Sequence, residues 1–212
     1  MTVNTKNLTK ISEIVSNSKD CKLLIVTKNQ TFDDIDFLVN LGFITFGENR
    51  VQEAISKYAN NQIDSSKLSL HLIGPLQSNK VKMALQTFNV IQTIDRKSLI
   101  DEIVKSYSKI ENVKTKQFFI QVNIGMEDQK SGIHPKKLSE LYEYALDHRI
   151  PIKGLMCIPP NDDKPEKYFN LMNNLKNRLN KNLLLSMGMS GDFKVAIKYN
   201  SNIVRVGSLL FQ

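Results

Sequence analysis

Along the chain, short apolar runs alternate with longer stretches whose apolar residues recur at three- and four-residue spacing. The runs are Lys22–Val26, Phe43–Phe46, Leu68–Ile73, Val90–Ile94, Phe118–Ile124, Ile152–Ile158, Leu183–Met187 and Ile203–Val206. They are rich in Val, Ile, Leu and Phe and bounded by turn residues, the pattern of buried strands. Between them lie amphipathic stretches. Asp33–Asn40 carries Ile35, Leu38 and Val39 on one face, Val51–Asn60 carries Val51, Ala54, Ile55 and Tyr58, and Lys80–Phe88 carries Val81, Ala84, Leu85 and Phe88. Leu99–Ile110, Pro135–Leu146, Pro165–Leu179 and Asp192–Tyr199 follow the same rule, and a further helix, Leu8–Val15, precedes the first strand. Helix ends carry matching chemistry. Thr31 with Asp33 and Asp34 opens the first crossover helix, Pro135 stands in an opening turn, and Gly42 follows Leu41 where a left-handed cap belongs.

Strands alternating with helices predict a parallel sheet. Eight such units close naturally into a (β/α)8 barrel. A doubly wound sheet competes, but no dinucleotide glycine fingerprint is present, and the barrel is the expected fold. One domain, 1–212, is expected. The sequence stops six residues past the eighth strand, so the eighth helix is expected to be truncated. Leu8–Val15 is expected to cover the seam between strands eight and one.

Composition narrows the partners. The net charge is +8, from 29 basic and 21 acidic residues. Such an excess suits a nucleic acid or a small anion. Only Arg50, Arg96, Arg149, Arg178 and Arg205 supply the side chain best suited to base readout, and the lysines are scattered. No nucleic-acid partner is therefore expected. Two cysteines, Cys21 and Cys157, form neither a disulfide framework nor a metal-ligand spacing, which predicts a reducing, cytoplasmic setting. No run approaches the length of a membrane span, and the first ten residues lack the apolar region of a secretory signal.

In a barrel the functional residues stand at the C-terminal ends of the strands. There Lys28 continues the row Leu24, Val26, and a desolvated lysine at that point can attack an aldehyde and hold a Schiff base. The alternative is a solvated residue just past a strand end. The segment Ser186-Met-Gly-Met-Ser-Gly-Asp192 offers glycines and a following helix start, the elements of a phosphate cradle, with Gly207-Ser208 a second amide-rich turn beside it. A plain capped loop would look the same. Arg205 lies inside an apolar strand and needs a partner, either an inward ligand or an outward carboxylate. His71 reads as a satisfied core histidine, His134 and His148 as helix-end residues, and Cys157, Met187 and Met189 as packing. No metal site is indicated.

These segments closely resemble the pyridoxal phosphate homeostasis proteins. The resemblance is carried by Ile25-Val-Thr-Lys28, Phe46-Gly-Glu-Asn-Arg-Val-Gln-Glu53, His71-Leu-Ile-Gly-Pro-Leu-Gln-Ser-Asn-Lys80 and Gln121-Val-Asn-Ile124 with Lys130-Ser-Gly-Ile133. It continues through Gly154-Leu-Met156, Leu185-Ser-Met-Gly-Met-Ser190 and Val204-Arg-Val-Gly207. It implies a barrel like the N-terminal domain of alanine racemase, binding pyridoxal 5'-phosphate as an aldimine on Lys28. By the same resemblance Asn49 lies near the cofactor, Ser190, Gly207 and Ser208 lie around its phosphate, Met187 and Gly188 line the same loop, and Arg205 faces the pyridine nitrogen. Thr27 stands in place of the usual serine. Thr31 stands where a proline often follows, an exchange expected to loosen that loop.

The resemblance implies a cofactor carrier, monomeric as family members often are, that buffers pyridoxal phosphate or hands it to apo-enzymes. An arginine opposite the ring nitrogen keeps that nitrogen unprotonated and the ring a weak electron sink. The racemases also use a tyrosine from a second domain, for which this sequence shows no segment. No catalytic residue is therefore expected, and a slow amino-acid racemase is the alternative.

Overall fold

The computed structural model describes residues 2–58, 64–162 and 164–211. Its strands are β1 (Lys22–Val26), β2 (Thr45–Glu48), β3 (Ser69–Leu72), β4 (Val90–Ile94), β5 (Gln117–Val122), β6 (Ile152–Cys157), β7 (Leu184–Ser186) and β8 (Ile203–Val206). They pair in chain order and close into a barrel, with β1 returning to β8 in parallel. Among the described residues, seven crossover helices surround it: α2 (Phe32–Asn40), α3 (Val51–Tyr58), α4 (Val81–Thr87), α5 (Lys97–Tyr107), α6 (Leu138–Asp147), α7 (Pro165–Leu179) and α8 (Phe193–Lys198). The expected (β/α)8 architecture is present.

Alternation within each strand divides its side chains between two cores. Outward residues such as Ile25, Phe46, Leu70, Phe118 and Leu185 meet the helices in one continuous layer. Each such side chain contributes about 1.5–3 kcal/mol on burial. Inward residues Leu24, Val26, Ile73, Val90, Phe119, Met156 and Ile203 fill the barrel. Gly47 is paired with Val26 and His71 on this inner face. A Cβ there would collide with the Leu24 side chain, so glycine makes room for the filling.

The helix α1 (Thr5–Ser16) precedes β1 and buries Leu8, Ile11 and Val15. Asn4 caps it by accepting from Asn7 N–H. Asn4 N–H donates to Leu210 O at 2.8 Å, and the Asn7 amide donates to Leu209 O at 2.8 Å. The helix is thus tied to the chain leaving β8, at the seam where it was expected.

The second strand departs from its expected bounds of Phe43–Phe46. Gly42 (φ +89°) and Phe43 donate to Val39 O and Leu38 O and finish the cap of α2. The apolar pair Phe43–Ile44 therefore belongs to the approach, and the strand begins at Thr45. The expected helix Val51–Asn60 ends at Tyr58, and positions 59 and 60 lie outside the described residues. Thr31 does not loosen its loop. It caps α2, accepting from Asp34 N–H and donating to the Asp34 carboxylate at 2.7 Å. No helix among the described residues is long and apolar enough to cross a membrane.

Candidate functional site

At the C-terminal ends of the strands a cavity of about 410 Å³ opens between Lys28, Asn49, Gln121, Lys130, Met189 and Arg205, over a floor of Val26, Ile73 and Ile158. Three sequence-predicted residues from three strand ends, Lys28, Asn49 and Arg205, meet here. A more open groove, lined by Arg50, Glu53 and Lys80, adjoins it and shares Asn49.

Lys28 follows Val26 on the inner row, as its alternation implies. It is exposed rather than desolvated, because the mouth of the cavity is open. Its ammonium has no hydrogen bond or ion pair among the described residues. The backbone on either side is held firmly. Thr27 Oγ1 donates to buried Glu48 at 2.7 Å and lies 3.0 Å from Tyr58 OH. Lys57 Nζ donates to Thr27 O at 2.6 Å and sits 3.1 Å from Glu48 and 2.6 Å from Glu53. Glu53 in turn accepts from Asn29 N–H at 2.6 Å, where the chain turns through a left-handed residue (φ +60°). Burial pushes the Glu48 carboxyl above its usual range, against the pull of Lys57. Partial burial raises Glu53 too, but the bonds from Lys57 and Asn29 outweigh it and leave that carboxyl low. Burial, then the charge of Glu48, raises the Tyr58 phenol. Nothing in the sequence signals that these residues form a clamp, because a strand end and a helix must meet before the cluster exists.

Arg205 is inward, and its partner is not a carboxylate. It is 3% exposed. Nη1 donates to Ser186 Oγ at 2.9 Å, and Nη2 donates to Cys157 O at 2.8 Å. Burial lowers its proton affinity, yet a guanidinium stays charged in any protein setting. The result is a fixed cation in the cavity wall.

The loops after β7 and β8 sit beside it. Gly188 (φ +94°) accepts from Arg205 N–H through its carbonyl, and a Cβ there would strike Ala196. Met187 faces the outer core, so its side chain is directed away from the cavity and only its peptide belongs to the loop. Asp192 takes the N–H of Met189 at 2.6 Å. The N–H groups of Ser190, Gly191, Gly207 and Ser208 have no protein acceptor among the described residues. Those free amides, rather than the six-residue helix α8, are what an anion would meet.

Across the cavity, the loop after β5 brings Lys130, bonded to Glu127 at 2.6 Å and Pro159 O at 3.2 Å. Gln121 holds the loop by donating to Ser131 O at 3.1 Å. Gln121 sits two positions beyond Phe119 on the inner row, and that polar break in an apolar register is the signal that would have singled it out. Cys157 is fully buried and its thiol is pushed up to about 12 by burial, which makes it an inert core residue. His71 is a bonded interior residue, as expected. His134 caps a short turn, and His148 ends α6 against Tyr144. No cluster of metal-ligating side chains occurs among the described residues.

Residues 5–212 match the family described as alanine racemase, N-terminal domain. The chain is 39% identical to the pyridoxal phosphate homeostasis protein of Aquifex aeolicus, over 97% of this chain and 93% of that protein. It is 32% identical to the protein of that name from Escherichia coli, over 91% and 86%. Among solved structures, PipY of Synechococcus elongatus without PLP superposes with a TM-score of 0.86 at 29% identity, over 98% and 99% of the two chains. PipY with PLP bound gives 0.84. The alanine racemase of Clostridium difficile gives 0.76 at 15% identity, over 96% of this chain and 54% of that one, a likeness of fold.

Proposed function

Because the chain belongs to the alanine racemase N-terminal domain family, and within it to the pyridoxal phosphate homeostasis proteins, we propose that it binds pyridoxal 5'-phosphate in the β1–β8 cavity and buffers or delivers it. One observation carries the reading. A free, accessible lysine and a buried, fixed arginine face one small cavity beside unbonded loop amides. The chemistry of that donor set fits the cofactor: an amine for an aldehyde, a cation for a ring nitrogen, and amides for a phosphate ester.

When bound, pyridoxal phosphate supplies an aldehyde carbon and a conjugated ring that accepts electrons. Lys28 holds that carbon as a Schiff base. Ser190, Gly207 and Ser208, with the peptides of Met187 and Gly188, cradle the phosphate. Asn49 orients the ring from the β2 end. Arg205, already charged and an obligate donor, gives the ring nitrogen a hydrogen bond without giving up a proton. That limits the electron demand of the ring, which favours storage over turnover. The names of the relatives, homeostasis proteins rather than enzymes, agree with this.

The protein acts in the cytoplasm as a monomer, with apo-enzymes as recipients. Its two free cysteines fit a reducing compartment. Adding pyridoxal phosphate to the purified protein is expected to produce a visible imine band that Lys28→Ala lacks. Transfer to an apo-enzyme is expected to follow. Sustained racemisation of an amino acid by the loaded protein would overturn the carrier reading in favour of a racemase.

A further inference from the structure

A polar thread crosses the apolar filling of the barrel below the cavity. The thread starts at Arg205 on β8, whose Nη1 lies 2.9 Å from Ser186 Oγ on β7. Ser186 Oγ lies 2.6 Å from Gln92 Oε1 on β4. Gln92 Nε2 lies 2.8 Å from His71 Nδ1 on β3, and His71 Nε2 lies 3.1 Å from Ser69 Oγ. Gln92 and Ser186 are fully buried, and His71 is 6% exposed. Ser69 and His71 border the opposite mouth of the barrel, a cavity of about 750 Å³.

The bonds of this thread run in one direction from Arg205. A guanidinium only donates, so Ser186 Oγ accepts from it and gives its own proton to Gln92 Oε1. That places the Gln92 amide nitrogen toward His71, whose Nδ1 must then be the bare acceptor. The ring proton sits on Nε2 and points to Ser69. In this arrangement every donor in the thread has an acceptor. Apolar neighbours make each bond costly to leave unmade. A barrel that needed only filling would have no use for it.

We propose that Gln92 and His71 are positioning residues for Arg205. They fix the Ser186 hydroxyl as an acceptor and so hold the guanidinium at one orientation toward the bound cofactor's ring nitrogen. This rests on the reading of the cavity as a pyridoxal phosphate site. His71→Asn keeps an acceptor oxygen in the place of Nδ1 and preserves the direction of the thread. His71→Leu and Gln92→Leu interrupt it.

The test is a spectrophotometric titration with pyridoxal phosphate, read for apparent Kd and for the position and pH midpoint of the visible band. In His71→Leu and Gln92→Leu the Kd is expected to rise about three- to tenfold, the value of one buried hydrogen bond. The band and its midpoint are expected to move, since the group facing the ring nitrogen has moved. In His71→Asn both readouts stay near wild type, although the lost ring volume lowers stability as it does in His71→Leu. That separation is what a purely structural role would not give. Wild-type Kd, band and midpoint in a folded Gln92→Leu overturn the proposal. So does an identical response of His71→Asn and His71→Leu, which remains measurable if Gln92→Leu fails to fold. Absence of the band in the wild-type protein defeats the cofactor reading itself, a result distinct from any of these.

Discussion

Two cations face the same cavity, and they are held in opposite ways. At the β1 rim, the backbone around Lys28 is clamped by Thr27, Glu48, Glu53 and Lys57, while the ammonium itself is free and exposed. In the β8 wall, the head group of Arg205 is tied by two bonds and buried. The difference matches two kinds of work. A nucleophile has to reach a carbon and later release it, so its base is fixed and its tip is loose. A charge that sets the electronics of a ring has to stay at one distance and angle, so its tip is fixed.

The contrast breaks most severely at the clamp. Lys57→Met leaves Glu48 buried without its counter-charge and is expected to cost about 3 kcal/mol at neutral pH, the low end for a broken buried pair because Lys57 is slightly exposed. Burial raises the Glu48 carboxyl, so it takes up a proton at higher pH in the fold than in the unfolded chain. Acidification protonates it and removes the penalty, and urea melts at neutral and acidic pH should show the loss shrinking.

On the Arg205 side, His71 is held down from 6.5 to about 4, by burial first and the Lys22 ammonium second. Its folded value is depressed, so the unfolded chain takes the proton first. Stability is full above the unfolded value and falls as pH drops through the window. Roughly 3 kcal/mol is at stake. The difference between wild type and His71→Asn in urea midpoints across that window isolates this contribution from the carboxylates.

Arg205→Leu is expected to weaken pyridoxal phosphate binding by about ten- to a hundredfold, the worth of one hydrogen bond from a charged group. Titration of the visible band measures it. The smallest effect belongs to Lys28. Lys28→Ala should leave the urea midpoint within about 0.5 kcal/mol of wild type, as for an exposed residue with no partner. A large loss there would mean that the rim is not the loose half of the pair.

Much of this was legible in the sequence. The barrel follows from eight apolar runs separated by amphipathic stretches, because both cores of a barrel are built from strand alternation. Lys28 was legible for the same reason, as the next member of the row Leu24, Val26. Arg205 was legible as important, but its direction was not, since a charged residue in a strand can face either layer. The clamp was not legible, because Glu48 and Lys57 look like ordinary charges until β2 and α3 are placed together. The start of β2 was misjudged because Phe43 and Ile44 look like strand residues, whereas Gly42 and Phe43 finish the cap of α2. Whether Lys28 is desolvated or solvated stayed open in the sequence, since periodicity gives the direction of a side chain and not the openness of the mouth above it.

The central claim is that Lys28, and not a neighbouring amine, carries the cofactor. Reducing the loaded protein with borohydride fixes any imine as a stable secondary amine, and peptide mass mapping then locates it. Label recovered on Lys28, and absent from Lys28→Ala, is the expected result. Label recovered instead on Lys130 or Lys57, or retained in Lys28→Ala at wild-type yield, would contradict the claim.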